Sequence, residues 1–127
     1  MEACEKKVCP GCGVMAGRLK SAGRDRRQYS VILDMLMELE EKGMIELLAG
    51  DCPLKDAGAE LEAERHYTVC HYLRCRTCGT VYFVGACIRG TPVYRQVEDL
   101  ARENIDNRLW GRCGRHGAGT GLDTNIL

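Results

Sequence analysis

The chain has 127 residues and 14.1 kDa, with 18 basic and 18 acidic residues and a formal net charge of zero. That length suits one domain with one modest core, and zero net charge excludes polyanion binding through bulk electrostatics while leaving room for a local basic patch. Apolar residues at 45% and charged residues at 28% exclude wholesale disorder, and nine cysteines make the chain unusually thiol-rich.

Charge is unevenly distributed along the chain. Residues 1–30 carry seven Lys/Arg against three Asp/Glu, residues 31–64 two against ten, and residues 65–127 nine against five. Met1 to Lys7 places charges where a secretory signal needs an apolar stretch, and the apolar run Val81 to Ile88 falls far short of a bilayer. A reducing cytosol is therefore expected, where clustered cysteines serve as metal ligands or redox centres more often than as structural disulfides.

In chain order, the first motif is Cys9-Pro10-Gly11-Cys12-Gly13. Gly13 and Gly17 weaken any helix after it, so Arg18, Lys20, Arg24, Arg26 and Arg27 read as a solvated or locally flexible basic arm. A helix follows from about Tyr29 to Lys42. Ile32, Leu36 and Leu39 recur at i, i+4 and i+7, Leu33, Met35 and Met37 widen the stripe, and Asp34, Glu38 and Glu41 lie off it. Gly43 can stop this helix in the left-handed conformation. Met44 to Leu48 reads as a short strand, and Pro53 to Glu64 as a second helix interrupted by Gly58.

From His66 the period changes to two. Tyr67, Val69, His71 and Leu73 share one face of a strand, and Thr68, Cys70, Tyr72 and Arg74 the other. Cys75-Arg76-Thr77-Cys78-Gly79 then forms the turn of a hairpin, and its second strand, Thr80 to Ile88, is apolar on both faces. Thr91 as N-cap and Pro92 at N1 begin a third predicted helix, carried by Val93, Val97, Leu100, Ile105 and Leu109 and ended near Gly111. Residues 112–127 read as a flexible Gly-rich tail. Its Gly117-Ala118-Gly119-Thr120-Gly121 run lacks the strand and helix that a phosphate loop requires.

Each Cys-x-x-Cys-Gly unit lets two sulfurs of a tight turn reach one ion, with a glycine available for a positive φ. Two such units supply four thiolates, the closed tetrahedral set of structural zinc. These knuckles resemble the zinc-ribbon class. The resemblance covers residues 9–13 and about 66–88, and implies that Cys9, Cys12, Cys75 and Cys78 share one Zn2+. The departure is the 62 residues between Cys12 and Cys75, which must hold a helical insert at about 29–64. Other ligands stay open: Cys4, Cys52, Cys70, Cys87, Cys113, His66, His71 and His116, with Cys113-Gly114-Arg115-His116 having ligand-like spacing. Cys70, Cys87 and His71 also fit a buried strand, and His66 an exposed strand end.

The span from Tyr29 to Ile45, followed by His66 to Val81, is in addition similar in order to the ferric-uptake class of metal-dependent regulators. That likeness implies DNA binding, against which the helix carries Asp34, Glu38, Glu40 and Glu41. Cys9-Pro10-Gly11-Cys12 also resembles a thioredoxin-like dithiol, but no strand has room before it.

The expectation is a single α+β domain over residues 1–111, with a β-hairpin of zinc-ribbon character and helices 29–42 and 92–109 on the sheet. Structural zinc would supply on the order of 10 kcal/mol of folding free energy. No catalytic constellation emerges, and Glu38, Glu40, Glu41 and Glu46 read as a solvated face. The function expected is cytoplasmic, non-catalytic recognition of another macromolecule, a protein, by an adaptor, inhibitor or immunity-type chain. A metal-dependent DNA-binding transcriptional regulator is the alternative, and a thiol redox enzyme ranks below both.

Overall fold

The computed structural model describes residue 9, residues 12–103 and residues 105–114. Its framework is a four-stranded antiparallel meander in the order β1-β2-β3-β4, formed by Ile45–Gly50, Thr68–Cys75, Val81–Cys87 and Val93–Val97. Helices α1 (Gly13–Ala22), α2 (Tyr29–Glu41) and α3 (Ala57–Ala63) precede β2. Two short helices, α4 (Leu100–Glu103) and α5 (Ile105–Arg108), follow β4. Together they make one α+β domain, and among the described residues no helix is long and apolar enough to cross a membrane.

The sheet is buried on both faces, which explains the unbroken apolar composition of β3. Val69, Leu73 and Cys75 of β2 pack with Tyr82, Val84 and Ala86 of β3 against Met15, Leu19, Ile32, Leu33 and Leu36 of the helices. The alternate residues Cys70, Tyr72, Val81 and Phe83 face a second cluster, closed by Val97 and Ile105. A bulge in β1 between Leu47 and Ala49 serves both layers. Leu47 joins the helical side, while its successors Leu48 and Ala49 both join the other.

Helix α2 matches its expected range and ends as Gly43 implied. Gly43 has φ 75°, its N–H donates to the Glu40 carbonyl at 3.0 Å, and the Met44 N–H donates to the Leu39 carbonyl at 3.0 Å. These two bonds are the Schellman pair that satisfies the last carbonyls of the helix. The expected second helix appears as a 3-10 turn, Leu54–Asp56, leading into α3.

Three expectations are corrected. The segment after Cys12 is helical, because Met15, Leu19 and Ala22 recur at i, i+4 and i+7 and are all buried. That burial outweighs a propensity cost of about 1 kcal/mol for each glycine. The helix expected over 92–109 is instead β4 followed by α4 and α5. Val93, Val97 and Leu100 fit a helical stripe, but Val93, Tyr94 and Val97 also favour a strand, and pairing with the open edge of β3 decides between them. Helical structure begins later, where Asp99 Oδ1 accepts from the Ala101 N–H at 3.1 Å. Cys113 and Gly114, expected in the tail, lie against β1. Cys113 and Gly50 exchange backbone hydrogen bonds of 2.9 Å. Residues 115–127 lie outside the described residues.

His71, fully buried, occupies the sheet's helical side beside Gly50. Its Nε2–H donates to the Cys52 carbonyl at 2.8 Å, and Nδ1 has no partner. A second proton would have to enter at that buried, unpartnered nitrogen, so burial holds the imidazole below its ordinary pKa and the ring is neutral. Protonation then favours the unfolded chain, and this contribution to stability is present above about pH 6.5 and lost progressively as pH falls below it toward the lower pKa of the folded state. The melting temperature is expected to drop more between pH 7 and pH 5 than that of His71→Gln, as read by circular dichroism.

Two glycine substitutions test the packing by thermal denaturation. A Cβ at Gly50 would lie 2.6 Å from His71 Cδ2, so Gly50→Ala is expected to destabilise by about 1–3 kcal/mol. A Cβ at Gly58 meets nothing within 4 Å, so Gly58→Ala in α3 is expected to stabilise by about 0.5–1 kcal/mol.

Candidate metal centre

The N-terminal knuckle ends at the start of α1, and the second knuckle is the tip of the β2–β3 hairpin. Both turns close in the same way. The Gly13 N–H donates to the Cys9 carbonyl at 2.7 Å, and the Gly79 N–H donates to the Cys75 carbonyl at 2.9 Å. The glycines differ in conformation: Gly79 has φ 82°, whereas Gly13 is the first residue of α1. The hairpin tip is braced further by the Cys75 N–H on the Thr80 carbonyl, at 2.9 Å, and the Arg76 N–H on the Met44 carbonyl, at 3.0 Å.

These turns bring Cys9, Cys12, Cys75 and Cys78 together, with all four Sγ atoms within 4.8 Å of one another. Cys9 Sγ lies 3.8 Å from Cys75 Sγ, and Cys12 Sγ lies 3.7 Å from Cys78 Sγ. Four thiolates about 2.3 Å from a tetrahedral ion have sulfur–sulfur edges of about 3.8 Å, so the spacing fits a bound metal. It is far too long for disulfides, and all eight described cysteines are free. Cys75 is fully buried, Cys12 nearly so, Cys9 half-buried and Cys78 exposed. One edge of the cluster therefore faces solvent.

Two hydroxyls serve the sulfurs. Thr80 Oγ1 lies 3.1 Å from Cys78 Sγ, and Tyr82 Oη lies 3.3 Å from Cys12 Sγ, each placed to donate to a thiolate. Hydrogen bonds from the Thr80 side chain and backbone hold Cys78 down at about 6. Burial pushes Cys12 up to about 12. Buried sulfurs this close cannot all be thiolates without a cation between them, and a coordinated ion would deprotonate Cys12 outright.

The other candidate ligands within the described residues go elsewhere. Burial pushes Cys52 up to about 12 and Cys70 up to about 11, as expected of inert core thiols. Cys113 pairs with β1, and Cys87 ends β3. His71 bonds the Cys52 carbonyl, and His66 stacks on Trp110. Cys4 and His116 lie outside the described residues. Sequence reasoning missed Thr80 and Tyr82, although alternation along β3 turns Tyr82 to the helical side. It also missed Asp51, a buried carboxylate that accepts backbone N–H bonds from Cys70, Trp110 and Gly111 at 2.8, 2.7 and 3.1 Å.

No family model, curated protein or solved structure matches the chain. The likenesses to zinc ribbons and to ferric-uptake regulators accordingly rest on their motifs alone. The site and fold together describe an α+β domain whose N-terminal segment and hairpin tip meet at a four-cysteine cluster positioned to bind a metal ion.

Replacing a buried sulfur tests the cluster. Cys75→Ser is expected to lose bound metal and to lower the melting temperature by about 10 °C, given about 3–5 °C per kcal/mol for a chain of this length. Cys87→Ser, at the far end of β3, is expected to keep its metal. Elemental mass spectrometry and thermal denaturation of both variants check this.

Proposed function

We propose that the chain is a non-catalytic, zinc-stabilised module that recognises another macromolecule, a protein, in a cytoplasmic setting. The cluster of four Sγ atoms within 4.8 Å carries this reading. Four thiolates close the coordination of a tetrahedral ion and leave no position for substrate or for an activated water. Zinc suits the set because it favours four-sulfur tetrahedra and contributes folding free energy without redox chemistry. Function then falls to the surface outside the cluster, as in an adaptor, inhibitor or immunity-type protein.

A protein partner is favoured by the groove between α1 and α2. It encloses about 500 Å3 and is lined by Val14, Gly17, Ser21, Val31 and Ile32, with Arg18 at its wall. Val14 is 74% and Val31 41% exposed, so an apolar partner surface would gain by covering them. Arg18 at the groove's wall, with Arg24 following α1 in the chain, suits an apolar segment with an acidic flank. The alternative, a metal-dependent DNA-binding regulator, draws on the same cations. Against it, Asp34, Glu38, Glu40 and Glu41 are the exposed charges of α2 and would face phosphate.

Freshly purified protein is expected to contain about one zinc per chain, with four of its nine thiols protected from a thiol reagent. No metal with all nine thiols reactive would overturn the closed site. A photoreactive side chain at position 31 is expected to capture a protein in cells, and Val31→Glu that keeps its zinc to lose that partner. Retention on duplex DNA with a steep salt slope, and no capture at position 31, would favour the regulator instead.

A further inference from the structure

At the end of the β2–β3 hairpin away from the cysteines, the molecule holds an aromatic stack open to solvent. His66 and Trp110 lie ring on ring, with centroids 3.7 Å apart and planes 6° from parallel. The Trp110 N–H donates to Asp51 Oδ1 at 2.7 Å, and its indole Nε1–H donates to the Thr68 carbonyl at 2.6 Å. Asp51 is itself 4% exposed and fixed by the Cys70 and Gly111 amides. A Cβ at Gly111 would run into the Asp51 backbone, so glycine there permits the close approach. Despite these anchors Trp110 remains 38% exposed, and Tyr67, next to His66 in the chain, 58%.

Arginines flank the stack along the chain. Thr68 pairs with Cys87, and the Ile88 N–H donates to the Tyr67 carbonyl at 3.0 Å, so continuing the register places Arg89 opposite His66. Arg26 Nη2 donates to the Ile88 carbonyl at 2.8 Å. Arg65 precedes His66 and Arg112 follows Trp110 by two residues; Arg65 pairs with Glu60 at 3.0 Å. Arg89 and Arg112 are exposed and meet no carboxylate among the described residues.

We propose that the His66–Trp110 stack, with Tyr67, Arg89 and Arg112, is a binding platform for single-stranded nucleic acid. Rigid aromatic faces accept unpaired bases of any sequence while flanking arginines take the phosphates. A carboxylate-rich protein segment would use the arginines and leave the rings without a partner, and a duplex keeps its base faces stacked inside. Zero net charge does not oppose the site, since the cations are local. This platform goes beyond the protein-recognition reading. It lies about 25 Å from the cysteines, at about 3.3 Å per residue along β2.

Trp110 is the chain's one tryptophan, so its emission reports on the platform directly. The experiment titrates the full-length, metal-loaded protein with oligothymidylate at low salt, and in parallel with a DNA duplex and with polyglutamate. Oligothymidylate is expected to quench the emission, and the other two polyanions to leave it unchanged. Arg89→Glu combined with Arg112→Glu is expected to weaken binding by about tenfold or more and to lower the slope of log affinity against log salt by about 1.4, at about 0.7 per phosphate on single strands. An unchanged melting temperature would show that this variant folds. No quenching at low salt, equal quenching by polyglutamate, or affinity indifferent to the double charge reversal would each overturn the proposal. Metal content and capture at position 31 are read separately, so failure here is distinguishable from failure of the protein-recognition reading.

Discussion

Joining the N-terminal knuckle to the hairpin tip is the constraint on which the arrangement of helices depends. Cys12 and Cys75 are separated by 62 residues, and bringing such a loop's ends together costs on the order of 4 kcal/mol of chain entropy. The two turns alone cannot offset that, since each is closed by backbone bonds worth about 1 kcal/mol net. A metal ion held by the four thiolates would contribute on the order of 10 kcal/mol, by the measure of zinc in small peptides, enough to favour closure. Once Cys12 is fixed at the hairpin tip, α1 has one direction in which to place Met15, Leu19 and Ala22 against the sheet. α2 must then return antiparallel to reach β1.

The opposite end of the sheet is held without metal. Asp51 takes its three backbone donors from β2 and from the chain after α5, and so ties the C-terminal segment across the face that Tyr72 and Phe83 present. Arg95 and Glu103 reinforce that layer. Their bidentate pair, at 2.8 and 2.6 Å, joins β4 to α4, and the guanidinium lies 4.9 Å above the Phe83 ring. The sheet thus has a four-cysteine cluster, positioned to bind a metal ion, at one end and a carboxylate-centred latch at the other, and β2 is common to both.

What could be read in the sequence was whatever is encoded locally. Ile32, Leu36 and Leu39 with Gly43 specify α2 and its stop within a few turns, and each Cys-x-x-Cys-Gly unit specifies its own knuckle. The α1 helix was obscured because Gly13 and Gly17 argue against a helix whose support comes from distant packing. β4 was obscured because Val93, Val97 and Leu100 satisfy two periods at once, and only the unpaired edge of β3 decides between them. Asp51 has no local signature at all: its partners lie 19, 59 and 60 residues away. The cysteine cluster falls between these cases. Its ligand types are written in the motifs, whereas their meeting across 62 residues follows from the fold.

The difference between the two closures bears on what the metal controls. Among the described residues the buried clusters on both sides of the sheet contain 27 apolar residues, a far larger core than a small zinc finger possesses, so a bound metal would be one contributor to stability among several. Its direct effect is concentrated at the knuckles and the first turn of α1. Without an ion, burial at Cys12 favours the neutral thiol and the four sulfurs lose their reason to stay within contact. The α1–α2 groove would loosen first, because one of its two walls is α1. The His66–Trp110 stack is anchored by Asp51 and Thr68 and has no bond to either knuckle. On the proposed metal-bound reading the groove would be conditional on metal, while the aromatic stack depends on the latch.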